Sequence, residues 1–281
     1  MSQDHRIDAL LPQEMALRAE YIGARKVESP FLVTFVLSVM AGAFIALGAV
    51  FATTTSTGAA GVLTYGVTKT LVGLVFCLGL VLVVVGGAEL FTGNNLIVMA
   101  WAGRKVSSRA LFQNWVIVYI GNFFGAMGVA ILMLLSKQYT FANGAVGQTA
   151  LNIANSKIQY DFGQAVVLGI LCNILVCLAV WLTFSARTTI DKIIAVIFPI
   201  AAFVAAGFEH SIANMYFIPI GILIKNFDPI YAASTGVDVS GLTWSSFIIS
   251  NLIPVTIGNI IGGSLFVAAV YWAIFLRESE L

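Results

Sequence analysis

Long apolar stretches alternate with short polar segments along the whole chain. Four of these stretches contain no charged side chain, and they cover residues 31–52, 111–136, 162–186 and 247–276. A helix needs about 20 residues to cross the hydrocarbon core of a bilayer. Each stretch therefore predicts one membrane-spanning helix.

Two further stretches are long enough only if they are allowed to contain ionisable side chains. Residues 70–103 are interrupted by Glu89, and residues 193–224 are interrupted by Glu209 and His210. We expect each of these stretches to form a helix that crosses the membrane and is broken near its middle. The chain is thus predicted to be an all-α, polytopic membrane protein with six transmembrane helices.

The composition supports a membrane protein. Hydrophobic residues make up 59% of the chain and charged residues 10%, and the mean hydropathy is +0.97. Soluble domains are about 45–50% apolar and about 25% charged. The formal net charge of +1 gives no reason to expect a nucleic-acid partner. Cys77, Cys172 and Cys177 lie in apolar stretches without the spacing of metal ligands, so we interpret them as packing residues.

The polar segments predict the orientation. With six spans and a cytoplasmic N-terminus, ten of the fourteen Lys and Arg residues lie on the cytoplasmic side and four lie outside, namely Lys69, Lys137, Lys157 and Lys225. Basic residues favour cytoplasmic loops, so both termini are expected in the cytoplasm. Residues 1–29 then form a cytoplasmic amphipathic segment, with a short helix near 10–24 on the membrane surface. Residues 30–276 form the six-span domain, and residues 277–281 form a cytoplasmic tail.

Two motifs occur twice in the same order. The pattern Gly-x-Glu-x4-Asn occurs at residues 87–94 and again at 207–214. An Asn followed by Gly-Asn-x-x-Gly begins at Asn114 and again at Asn251, with identical spacing. Each half would hold three spans, so the halves 30–136 and 162–276 are expected to form an inverted 3+3 repeat, which in transporters places a site near the bilayer midplane.

The broken helices predict the kind of site. In lipid, irregular backbone is tolerated only where it is buried in protein or lines a wet cavity. Each half-helix would begin near the membrane centre with unpaired N–H groups and the positive end of its dipole, which together favour an anion. No Lys or Arg lies in a predicted span, so we expect an anion site without a fixed cation.

The ionisable side chains at the breaks are the first candidates for function. His210 is the only histidine within a span, and no second His or Cys lies at metal-ligand spacing. We expect Glu89 to be structural, accepting hydrogen bonds from N–H groups of the break or from a span Asn such as Asn122, Asn173 or Asn259. Glu209 is equally consistent with such a role and with support of the site. Thr92 and Asn214 could satisfy local backbone groups, and Thr92 could also face the same cavity as His210.

Three segments resemble the signature stretches of the formate/nitrite transporter family. They are residues 89–93, 207–214 and 255–262. The resemblance covers essentially the whole chain and is strongest to the formate-channel branch, although residues 89–93 are also similar to the nitrite branch. It implies an aquaporin-like fold, a homopentamer and one pore per protomer.

Matching positions within the resemblance imply roles for individual residues. The pore centre would contain His210 and Thr92, with Asn214 and Glu209 beside them. Constrictions would be formed by Phe76, Leu80, Leu90, Phe91, Val176 and Phe203. Lys157 would help to draw anions into a vestibule, and the polar support near the pore would comprise Asn173, Asn259 and Glu89. No metal or cofactor is expected.

The implied function is a formate channel of the bacterial inner membrane that carries formate and related small anions. Formate could cross after protonation, directly or through His210 and water, or it could cross as the anion with His210 as a gate. Two alternatives remain: a nitrite or hydrosulfide channel of the same family, and a proton-coupled secondary transporter of a small carboxylate. An intramembrane enzyme is least favoured, because the spans offer no nucleophile–base pair or metal triad.

Overall fold

The computed structural model describes residues 9–277, and within this range every regular element is helical. The first half contains α1 (Pro12–Glu28), α2 (Phe31–Ser56), α3 (Tyr65–Gly86), α4 (a 3-10 turn Gly93–Ile97 continued by the α-helix Val98–Ala102) and α5 (Ser108–Leu135). A 3-10 turn (Gln138–Thr140) precedes α6 (Ala145–Lys157). The second half contains α7 (Phe162–Ser185), α8 (Thr189–Ala205), α9 (Ser211–Phe227), α10 (Pro229–Ser234) and α11 (Trp244–Phe275, with π-helical segments Phe247–Leu252 and Ile261–Ala269).

Five of these helices are long and apolar enough to cross a membrane: α2, α3, α5, α7 and α11. The four uninterrupted stretches of the sequence correspond to α2, α5, α7 and α11. The stretch interrupted by Glu89 corresponds to α3 and the short α4. The stretch interrupted by Glu209 and His210 is divided between α8 and α9, which have 17 residues each.

Both expected breaks are present, and a glycine lies in each. α3 ends at Gly86, and Gly87 adopts the left-handed conformation with φ +75°. α8 ends at Ala205, and Gly207 has φ +77°. A Cβ makes this conformation unfavourable, which explains why glycine occupies both positions. The chain then starts a new helix at Gly93 and at Ser211.

Small residues allow two helix pairs to pack closely. A Cβ on Gly125 of α5 would overlap the carbonyl oxygen of Val39 in α2. A Cβ on Gly262 of α11 would likewise overlap the carbonyl oxygen of Ile170 in α7. The glycines of the repeated Gly-Asn-x-x-Gly motif therefore bring α2 against α5 and α7 against α11.

The N-terminal helix differs from the expectation. α1 covers Pro12–Glu28 rather than 10–24, and its buried face, which includes Ala16, Ala19 and Gly23, packs against the protein. A Cβ on Gly23 would lie 3.2 Å from the Cβ of Ala100 in α4. The apolar face of this amphipathic helix therefore covers protein, because an amphipathic pattern cannot distinguish an apolar protein surface from lipid.

The segment expected to be a loop before the fourth span contains a helix. α6 buries Leu151 and Ala154 and packs against α9, where a Cβ on Gly221 would lie 2.5 Å from the Cβ of Ala154. Lys157 is the last residue of this helix. Residues 1–8 and most of the predicted tail 277–281 lie outside the described residues.

Candidate functional site

Two vestibules and a small central cavity lie around the breaks. The Lys26 vestibule has a volume of about 260 Å³, and the Lys157 vestibule has a volume of about 210 Å³. The central cavity, about 10 Å³, shares Leu80 and Leu90 with the Lys26 vestibule. It shares three residues with the Lys157 vestibule, namely Phe76, Phe203 and His210. The central cavity therefore adjoins both vestibules and is far narrower than either.

Five of the six proposed constriction residues line this central cavity: Phe76, Leu80, Leu90, Val176 and Phe203. All five are at least 97% buried. The rings of Phe76 and Phe203 meet edge to face at 5.8 Å, on the side of the Lys157 vestibule. Ile45 and Ile200, which the sequence did not single out, complete the apolar wall.

Phe91, the sixth proposed constriction residue, lies elsewhere. Its ring packs against Tyr119 at 4.8 Å and against Trp115 at 6.1 Å, and its N–H donates to Asn122. Phe91 does not line either vestibule or the central cavity. The structure thus places it in the packing behind the break and not in the constriction, while its neighbour Leu90 faces the cavity.

His210 and Thr92 meet across the two breaks. His210 Nε2 lies 2.9 Å from Thr92 Oγ1, and both residues are buried. The Nδ1 atom of His210 accepts the N–H of Ala213 at 3.1 Å, which caps α9. In the neutral ring the proton therefore lies on Nε2, which donates to Thr92. Protonation of Nδ1 would remove the cap, so this geometry favours the neutral imidazole with its N–H towards Thr92.

The Thr92 backbone is held by α7. Its carbonyl oxygen accepts the amide of Asn173 at 3.3 Å and the thiol of Cys177 at 3.3 Å. Asn173 also donates to the carbonyl oxygen of Asn259. Asn173 is fully buried and lies behind the break rather than in the wall of either vestibule or of the central cavity.

One asparagine clamps each break. Asn259 accepts the N–H of Ser211 at 2.9 Å and donates to the carbonyl oxygens of Gly169 and Glu209 at 2.8 and 3.0 Å. Asn122 accepts the N–H of Phe91 at 2.9 Å and donates to the carbonyl oxygens of Ser38 and Glu89 at 2.7 and 2.9 Å. Each side chain thereby pairs with two backbone groups of a break, which have no regular helix to pair them, and ties the break to a carbonyl oxygen of a neighbouring helix.

Each break carboxylate forms an ion pair with a lysine. Lys157 donates to Glu209 at 2.7 Å, and the other carboxylate oxygen accepts Asn214 at 2.7 Å and Asn251 at 3.2 Å. At the other break, Lys26 of α1 donates at 2.8 Å both to Glu89 and to Asn94. Asn94 donates to Glu89 at 2.7 Å.

The lysine pairs correct the expectation of a site without fixed cations. Lys26 and Lys157 come from α1 and α6, outside the predicted spans, and reach back to the breaks. The expected carboxylate partners Asn122, Asn173 and Asn259 do not bind the glutamates: Asn122 and Asn259 bind backbone groups, and Asn173 binds backbone carbonyls and the Asn95 side chain. In consequence Lys157 lines its vestibule as half of an ion pair and not as an isolated charge.

Both vestibules carry an excess of positive side chains. The Lys26 vestibule is lined by Arg18, Lys26 and Lys192 against Glu89, and the Lys157 vestibule by Lys69 and Lys157 against Glu209. Burial raises the pKa of the neighbouring Tyr160 phenol, and the Glu209 carboxylate raises this pKa further, so the phenol stays uncharged. A small anion is therefore favoured at both mouths.

Several functional contacts were not predicted. No role was predicted for Lys26, Asn94 or Asn251. Asn94 and Asn251 belong to the repeated motifs and could have been found from them. Lys26 is 63 positions from Glu89, and no local pattern indicates this pairing. Among residues 9–277, no group of three His, Cys, Asp or Glu side chains is arranged to hold a metal ion.

Comparison with known proteins decides the family. The sequence pattern described as "Formate/nitrite transporter" matches residues 13–273. The chain belongs to the formate/nitrite transporter family. It is therefore a membrane transport protein and not an enzyme.

Two relatives and one solved structure indicate how close the similarity is. The chain is 47% identical to "Formate channel FocA" of Escherichia coli (strain K12), with 100% of this chain and 99% of the relative covered. It is 44% identical to "Formate channel FocA" of Haemophilus influenzae, with 92% of each covered. A structure described as "Pentameric formate channel with formate bound" matches with a TM-score of 0.82 and 47% identity, covering 88% of this chain and 98% of that one.

Proposed function

We propose that this protein is a formate channel that acts as a homopentamer in the bacterial inner membrane, with both termini in the cytoplasm. The observation that carries the proposal is the 47% identity to a formate channel over the full length of both chains. The His210–Thr92 pair beside a narrow apolar cavity supports it, because this arrangement offers polar hydrogens where a small carboxylate would lose its water.

We also propose that the two halves form the inverted repeat expected from the sequence. The clamps of Asn122 and Asn259 bind equivalent backbone groups, and Glu89 N–H and Glu209 N–H donate to Leu37 and Leu168. The central cavity contains three pairs of equivalent positions: Ile45 with Val176, Leu80 with Ile200, and Leu90 with His210. This supports a site on the pseudo-two-fold axis between the halves.

The geometry suggests how formate would cross. The positive vestibules concentrate the anion, but a bare carboxylate would lose its hydration among Phe76, Leu80 and Phe203. A proton taken from the bulk solution and relayed through water in a vestibule to one formate oxygen would give neutral formic acid and remove most of this cost. His210, held neutral by its bond from Ala213, would then bind and orient the acid through Nε2–H, with the Thr92 hydroxyl as its neighbour.

A nitrite channel is the second candidate, because the family pattern covers both anions. A competition assay tests both. Purified protein in liposomes is offered labelled formate in the presence of nitrite, hydrosulfide or no competitor. We expect rapid formate entry that excess nitrite or hydrosulfide reduces only weakly.

Two outcomes would contradict the formate-channel proposal. The first is entry of nitrite or hydrosulfide with little formate. The second is saturable formate uptake with a fixed number of protons per formate, which would indicate a coupled transporter. Liposomes without protein serve as the control for leakage through the lipid.

A further inference from the structure

Phe217 lies on the cavity-facing side of α9. His210, Ala213, Asn214 and Phe217 are spaced i, i+3, i+4 and i+7, so they share one helix face, and all four line the Lys157 vestibule. Phe217 is half-buried, and no sequence pattern distinguishes it from ordinary core residues. Its contacts give it a specific place between the vestibule and the constriction.

Phe217 touches the lysine on one side and the constriction on the other. Lys157 Nζ lies 5.3 Å from the centre of the Phe217 ring, within cation–π distance. The same ring stacks on Phe76 at 6.4 Å with an interplanar angle of 19°. Phe217 therefore contacts both the ion pair of the vestibule and one of the two rings that narrow the passage.

The contacts continue to the central histidine. Phe76 meets Phe203 edge to face at 5.8 Å, and Phe203 stacks on His210 at 5.9 Å with an interplanar angle of 25°. A continuous series of ring contacts thus runs from the Lys157 ammonium to the His210 imidazole. Phe217 is the member of this series that joins Lys157 to the constriction, beside the shorter link through Glu209, the chain neighbour of His210.

The other half of the molecule shows what is particular about this arrangement. The position that corresponds to Phe217 in the first half is Ile97, which has no aromatic ring. Lys26 there takes the Asn94 side-chain oxygen as its second partner, at 2.8 Å. The equivalent oxygen of Asn214 has no hydrogen-bond partner within residues 9–277, and Lys157 has the Phe217 ring instead.

We propose that Phe217 is a positioning and selectivity residue of the channel. It holds the Lys157 ammonium over its ring beside Glu209, and it braces Phe76 so that the Phe76–Phe203 constriction stays narrow. The selectivity part rests on the proposed formate-channel function. The positioning of Lys157 does not depend on it.

The first test compares fluxes of a small and a larger carboxylate in liposomes. Phe217→Leu keeps an apolar side chain but removes the ring, and Phe217→Trp keeps an aromatic face. Loss of one aromatic contact corresponds to about a threefold to tenfold change. We expect Phe217→Leu to raise the ratio of propionate to formate flux by this factor, and Phe217→Trp to restore a ratio close to wild type.

Phe208→Leu is the matched control, because Phe208 is also half-buried near the break, and no ring contact joins it to Phe76 or Lys157 within the described part of the chain. An equal ratio in the Phe217→Leu and Phe208→Leu proteins would overturn the selectivity role.

The second test needs no transport. A water-soluble acylating reagent modifies exposed lysine amines, and mass spectrometry gives the rate at Lys157 relative to Lys69, which lines the same vestibule. We expect the relative rate at Lys157 to rise about threefold or more in Phe217→Leu and to stay unchanged in Phe208→Leu. An unchanged rate in Phe217→Leu would overturn the positioning role. If wild-type liposomes pass no formate, the proposed function fails, and this measurement still decides whether Phe217 positions Lys157.

Discussion

The two helix breaks have nearly the same support but different chemistry at their centres. In both, a buried asparagine clamps the backbone and a lysine pairs with the glutamate of the motif. At corresponding positions facing the central cavity, however, one break has Leu90 and the other has His210. The scaffold that stabilises the irregular backbone therefore occurs in both halves, whereas a side chain that can bind a carboxylate, His210, occurs at only one of the two breaks.

The lysine pairs differ in their surroundings as well. The Lys157 and Glu209 side chains are 14% and 2% exposed, whereas those of Lys26 and Glu89 are 27% and 14% exposed. Lys26 is also carried by α1, which packs on the domain from outside the spans. We therefore expect the pair at the His210 break to be the more rigid and the more costly to disrupt.

Loss of a clamp asparagine should lower the stability of the protein more than any other change proposed here, and by the same amount at both breaks. Asn122→Leu and Asn259→Leu each leave one N–H and one carbonyl oxygen of a break without its side-chain partner, at about 1–3 kcal/mol per group, and each also removes a bond to a carbonyl oxygen of a neighbouring helix. Both variants should lose most of their thermal stability in detergent, as measured by scanning fluorimetry. Asn152→Leu, at an exposed position of α6, is the control. A large loss of thermal stability in only one of the two variants would show that the two breaks are not equivalent.

Removal of the lysine from an ion pair should lower the stability less than loss of a clamp, and by different amounts at the two breaks. Lys157→Met leaves the Glu209 carboxylate buried without its cation, which costs about 3–5 kcal/mol. Lys26→Met should cost less, about 1–3 kcal/mol, because its pair is more exposed. Thermal unfolding of both variants measures the difference. The double variant Lys157→Met/Glu209→Gln should recover most of the loss, and failure to recover would show that charge is not the cause.

Much of the fold could be predicted from local pattern because the bilayer imposes it. The length of the apolar stretches indicated the spans, and the acidic residues with adjacent glycines indicated the breaks at Gly87 and Gly207. A common cavity for Thr92 and His210 was one of two interpretations of Thr92, the other being a bond to local backbone, and in the structure the two side chains meet. These features depend on the spacing of residues and on the lipid environment, and the sequence shows the first directly and the second through its hydropathy.

The remaining features depend on contacts between distant segments. Lys26 and Lys157 lie in polar segments, where a lysine ordinarily remains solvated, and only the packing of α1 and α6 brings them to the glutamates. Leu90 and Phe91 are adjacent and similar in hydropathy, so only the backbone path of the break determines which one faces the cavity. The ring contacts of Phe217 arise in the same way from α3 and α6 packing against α9.

Substitution of Phe91 should have the smallest effect on stability, and substitutions of the neighbours Leu90 and Phe91 should differ clearly in their effect on selectivity. Phe91→Leu loses edge-to-face contacts with Trp115 and Tyr119, at about 1 kcal/mol, and should leave the propionate-to-formate flux ratio unchanged. Leu90→Ala, which enlarges the central cavity, should raise that ratio. A raised propionate-to-formate flux ratio in Phe91→Leu would show that Phe91 does contribute to the constriction.

The most direct test of the account is formate flux into liposomes over a series of pH values, with wild-type protein and the His210→Phe variant. Loss of one hydrogen bond to a charged or strongly polar group corresponds to about a tenfold reduction in rate or more. We predict that the variant is slower by this factor at every pH in the series, because the only imidazole beside the central cavity in residues 9–277, which binds the acid as the neutral ring, has been removed. A His210→Phe protein with the rate of the wild type across the series would contradict the central role assigned to this histidine.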